Sequence, residues 1–61
     1  MTRQEQIIEI ARNNALEGLD QGRVEDYLDN MRDSLAEIIP DCTPAEAGLA
    51  EDVFNQIATS H

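Results

Sequence analysis

The sequence predicts an all-α fold of three short helices, a helical hairpin with a third helix packed on it, and three observations predict it. Apolar residues recur at steps of three and four over most of the chain, as one side of a 3.6-residue helix requires. Gly22 and Pro40 fall where those patterns stop, and Thr43-Pro44-Ala45-Glu46 carries the start signals of a further helix. A chain of 61 residues has room for one domain, residues 1–61, and for little interior. Ile7, Ile8, Leu16, Leu19, Val24, Leu28, Met31, Leu35, Ile38, Ile39, Leu49, Val53, Phe54 and Ile57 are the larger side chains available for a core. Cores this small are marginal, so dimerisation is expected to complete the architecture.

The first helix is expected over residues 3 to 20, where Ile7, Ile8, Ala11, Ala15 and Leu19 fall along one side. Gly22 ends it, and the linker is so short that the next helix must run back alongside as a hairpin. The second helix begins near Val24, with Glu25 and Asp26 in its first turn, where the positive end of the helix dipole favours carboxylates. Val24, Tyr27, Leu28, Met31, Leu35, Ile38 and Ile39 give it the clearest apolar face in the chain, and Pro40, which lacks an amide proton and restricts Ile39, stops it. In the third helix Thr43 is placed as N-cap, Pro44 as the first helical residue and Glu46 as the reciprocal member of a capping box. Ala47, Ala50, Val53, Phe54, Ile57 and Ala58 line its inner side, and Gly48 and Leu49 are expected to weaken its first turns.

Two features bear on function. Ile10 and Leu16 flank the main stripe of the first helix and widen it to more than half the circumference. That extra surface is covered by the third helix, by a second copy with Ile10 and Leu16 as the dimer seam, or by another protein. On the second helix, Asp26, Asp29, Asp33 and Glu37 follow steps of three, four and four opposite the apolar face. Successive carboxylates in such a row lie roughly 4.5 to 6 Å apart, near the phosphate spacing of a nucleic-acid strand. The row is an ordinary solvated face or the partner-binding surface of a protein that occupies a basic groove. Arg32 stands three residues after Asp29 and seven after Glu25, so an ion pair within the helix is expected.

Charge narrows the partners. Thirteen acidic residues against four arginines and no lysine give a formal net charge of -9. Arg3, Arg12, Arg23 and Arg32 are scattered, so direct binding to nucleic acid is not expected and a protein with a basic surface is. No window is apolar enough for a membrane span and the first residues lack a secretory pattern, so a cytoplasmic location is expected. Cys42 is the single cysteine and is read as a small side chain packing on Ala47. His61 is the single histidine and is read as part of a frayed end. Neither Ser34, Ser60 nor Cys42 has an internal histidine to activate it, and no phosphate loop, EF-hand or di-iron pattern is present. No enzyme activity, cofactor or metal is therefore expected. Tyr27 is read as a core residue with its hydroxyl at the edge. Small size, strong acidity and helical hairpins are shared by many phage-encoded inhibitors of host enzymes, antitoxins and regulatory adaptors, an analogy of style without residue-level support. The reading preferred is a small acidic inhibitor that blocks a basic site on a nucleic-acid-handling protein, and the alternative is a dimeric adaptor binding through the apolar side of the first helix.

Overall fold

The computed structural model describes residues 2–60, and His61 lies outside the described residues. Three helices form, α1 (Arg3–Gln21), α2 (Val24–Ile38) and α3 (Pro44–Thr59), with no strand among the described residues. The local chemistry of each boundary explains its place. Thr2 caps α1 by accepting the Glu5 amide at 3.2 Å, a cap of the Thr-x-x-Glu kind. Gly22, at φ 67, takes the left-handed conformation that closes α1, and the Arg23 amide bonds back to the Gly18 carbonyl at 2.8 Å. The capping box of α3 is complete, with Thr43 Oγ1 accepting the Glu46 amide and the Glu46 carboxylate accepting the Thr43 amide. Gly48 does not interrupt α3, which runs unbroken from Pro44 to Thr59.

Side-chain pairs give the path of the chain. Tyr27 donates to Glu17, Asn30 donates to Asn14, and Arg3 donates to Asp41, so each step forward beyond α1 is matched by a step backward along α1. The α1–α2 hairpin is thus antiparallel. Arg3 also reaches Glu46 in the first turn of α3, so α1 and α3 run the same way. α1 packs closely on both other helices, whereas α2 and α3 touch each other much less.

The residues of α1 explain its central place. Ala11 and Ala15 are fully buried beside Ile7, and these small side chains let two neighbours approach one helix. Gly18 is buried as well: a Cβ built on it would stand 3.0 Å from Tyr27 Cβ and 3.1 Å from Val24 Cα. Met31 and Leu35 from α2, Ile39 after it, and Ala50 and Phe54 from α3 complete the core. Burial of a side chain such as Phe54, 1% exposed, is worth about 1.5–3 kcal/mol.

Two expectations about the core need correction, and a third, about Arg32, is met and extended. Leu16 and Ile38 are half exposed, at 50% and 52%. Adjacent helical positions point about 100° apart, and Ile39, 5% exposed, takes the inward direction that Ile38 would need. Leu16 lies nearly opposite Ile7 around α1, outside the arc that α2 and α3 cover. Arg32 does pair with Asp29 at 3.4 Å as expected, but its shorter contact, 2.8 Å, is to Glu51 across on α3. Sequence spacing along one helix cannot disclose that partner.

Candidate functional site

The arc of α2 opposite Met31 and Leu35 holds Asp26, Asp29, Asp33 and Glu37, all of them exposed, on one continuous helix. From Asp26 to Glu37 the row extends about 16 Å at 1.5 Å per residue. Its two halves differ electrostatically. Asp26 accepts Arg23 Nε at 2.9 Å and Asp29 accepts Arg32 at 3.4 Å, whereas Asp33 and Glu37 have no ion pair among the described residues. Glu37 also lies in the last turn of α2, which carries no basic residue, so it faces the negative end of the helix dipole. The half of the row nearest Ile38 is therefore the less compensated one.

The N-terminal half of the row borders α1. Glu17, Arg23, Asp26, Tyr27 and Asn30 line a shallow depression of about 360 Å³, so Glu17 of α1 joins Asp26 in the acidic wall around Tyr27. The Tyr27 hydroxyl donates to Glu17 Oε1 at 3.4 Å, and the half-buried ring packs on the core, as its reading as an edge residue requires. Glu17 belongs with the acidic surface although the sequence did not single it out. The signal for it is tertiary, because it depends on the register in which α1 and α2 pair.

Ile10 and Leu16 are not brought together. Ile10 lies on the same side of α1 as Asn14 and Glu17, both bonded to α2, and it packs on the core from that flank. Leu16 stands half exposed on the outer side. In the register of the hairpin, Ile38 is level with Gln6, about 15 Å along the bundle from Leu16, so the two exposed apolar side chains form no single patch.

The α2–α3 crevice is an apolar hollow of about 290 Å³, with Leu35, Ile39, Pro40, Cys42 and Ala47 in its walls and Arg32 and Glu51 bridging one end. Cys42 is half buried, packs on the core and shares this hollow with Ala47. Its Sγ lies 3.7 Å from the Thr43 carbonyl. Among the described residues no three His, Cys, Asp or Glu side chains are grouped as a metal ion would need, and no described helix is long and apolar enough to cross a membrane.

The strongest perturbed ionisations are structural and lie where the start of α1 meets the loop before α3. Arg3, by its hydrogen bonds and charge, holds the Glu46 carboxyl down to about 2 and the Asp41 carboxyl below the usual range, and these acids raise Arg3 in turn. Comparison of the chain with known protein families, with curated proteins and with solved structures finds no match.

Proposed function

We propose that this chain is a non-enzymatic, cofactor-free binding module of the cytoplasm that presents the outer face of α2 to a basic surface on a nucleic-acid-handling protein, and so blocks it. One observation carries the reading: the row Asp26, Asp29, Asp33 and Glu37 is exposed along α2, and its Asp33–Glu37 half has no ion pair among the described residues. Glu37 stands uncompensated in the last turn of α2, where an acid weakens the helix by a few tenths of a kcal/mol, and Asp33 one turn before it adds like-charge repulsion. Complementary charge on a partner would supply the missing counterpart and steer encounter.

The test is retention of the DNA-binding fraction of a lysate on immobilised wild-type chain and on the quadruple variant D26N/D29N/D33N/E37Q, with elution by duplex DNA. Wild-type chain should retain proteins that DNA displaces at low salt. The variant, with its helical circular-dichroism signal intact, should retain at least about tenfold less, a difference of about 1.4 kcal/mol. Equal retention by both overturns the reading.

The alternative, a dimeric adaptor working through the apolar side of α1, draws support from the half-exposed Leu16, although Ile10 does not share its face.

A further inference from the structure

Three of the four arginines are ion-paired within the chain: Arg3 with Asp41 and Glu46, Arg23 with Asp26, and Arg32 with Asp29 and Glu51. Arg12 is exposed and has no ion pair among the described residues, in a chain with 13 acids. It stands midway between half-buried Ile8 and half-exposed Leu16, each one helical turn away, and shares a shallow hollow with Glu5, Ile8 and Glu9. This outer strip of α1 is symmetric about Arg12, with an apolar side chain four residues before it and another four residues after.

We infer that a second copy of this chain docks on that strip, α1 against antiparallel α1, about a twofold axis at Arg12. An isologous contact sets each residue against the one equally far on the other side of the axis. Ile8 of each copy then meets Leu16 of the other. The Arg12 stems cross the axis, covering apolar surface with their methylenes, and each guanidinium reaches Glu9 of the other copy, about 4.5 Å along the helix. The cation unpaired within one copy thus gains an anion from the next. The carboxylate row of α2 points away from the core on another side of the bundle, so the two rows do not face each other across this contact. The seam differs from one built on Ile10, which the core already occupies, and it does not depend on the acidic-face reading. A contact of one helix face is small, so association in the range of about 10 to 500 µM is expected.

Sedimentation equilibrium of the full chain up to about 1 mM in low salt is the test. Wild-type chain should dimerise, and L16S and R12E should each weaken the dimer at least about tenfold. The charge swap E9R/R12E should restore association to within about threefold of wild type, because it exchanges the two ends of the same ion pair. Leu16 is not among the side chains packed on the core and Arg12 is exposed, and circular dichroism of each variant checks that the fold is kept. A monomeric wild-type chain at the highest concentration, an L16S chain that dimerises normally, or a charge swap as weak as R12E alone overturns the inference.

Discussion

The Arg3 guanidinium lies edge to edge with the Glu46 carboxylate, with Nε 2.6 Å from Oε2 and Nη2 3.0 Å from Oε1, and that same Oε1 accepts the Thr43 amide at 3.0 Å. Two further bonds, 3.1 Å to Asp41 Oδ2 and 3.0 Å to the Asp41 carbonyl, tie the start of α1 to the loop before α3. Glu46 therefore caps its own helix and anchors another.

The sign of the pH dependence follows from this clamp. Glu46 is held to about 2, below its ordinary value of 4.5, and Asp41 is lowered in the same direction, both chiefly by hydrogen bonds from Arg3. Carboxyls depressed by folding add stability that is fully present above their unfolded pKa and lost as pH falls through the folded one. The difference in melting temperature between wild type and R3Q should hold steady above about pH 5 and shrink toward zero by about pH 2. Thermal melts followed by circular dichroism check this. Comparison with R3Q is needed because protonation of the other acids also relieves repulsion in a chain of net charge -9.

The three glycines should respond to alanine in different ways. At Gly18 the new Cβ meets the backbone of Val24 and the Cβ of Tyr27, neither of which can swing aside, so α1 and α2 must separate. Overpacking of this kind costs about 1–3 kcal/mol, more than the gain of up to about 1 kcal/mol in helix propensity. At Gly48, where nothing lies within 4 Å, G48A should stabilise by about 0.5–1 kcal/mol. At Gly22, with φ 67, G22A should cost about 1–2 kcal/mol despite the open space around it. Urea titrations of the three variants give the order G48A, wild type, G22A and G18A, the last two below wild type.

Ile10 and Leu16 should separate in a serine scan. I10S removes a side chain packed on the core beside α2 and should lower stability by about 1–3 kcal/mol, whereas L16S should change the stability of the monomer by less than about 0.5 kcal/mol. Chemical denaturation at low protein concentration measures both. Equal losses would show that Leu16 is buried more than its 50% exposure indicates.

Along the acidic row the two halves should differ in sign. E37K replaces an uncompensated acid in the last turn of α2 by a cation favoured there, and should raise stability by about 0.3–1 kcal/mol. D26N loses both the exposed Arg23 pair and a favourable first-turn charge, and should lower it by up to about 1 kcal/mol. Thermal melts at low ionic strength show both shifts, which diminish as salt is added.

The features legible in the sequence are the ones decided within a few residues. Gly22, Pro40 and Thr43-Pro44-Ala45-Glu46 set helix ends through backbone conformation and local hydrogen bonds, and the helices end and begin there. The steps of three and four placed Met31, Leu35, Ala50 and Phe54 inside for the same local reason. Arg3 with Glu46, Arg32 with Glu51 and Glu17 with Tyr27 were illegible because their partners are 43, 19 and 10 residues away and meet only after the helices pack. Gly18 carried no signal of its own, since a buried glycine at a helix crossing reads as a weak helix former until the neighbouring backbone is in place. Spacing alone reveals the acidic row, whereas its division into a compensated and an uncompensated half depends on where Arg23 and Arg32 reach.

The turn at Gly22 and Arg23 also sets an order of events in time. With only two residues between α1 and α2, closing the hairpin sacrifices little chain entropy, whereas α3 packs mainly on α1 and finds Arg3 within reach only once the hairpin has carried Asp41 back beside it. The hairpin is thus the natural nucleus, and α3 is the element that arrives late. Mutations at Gly18 should slow folding, while those at Phe54 should mainly hasten unfolding.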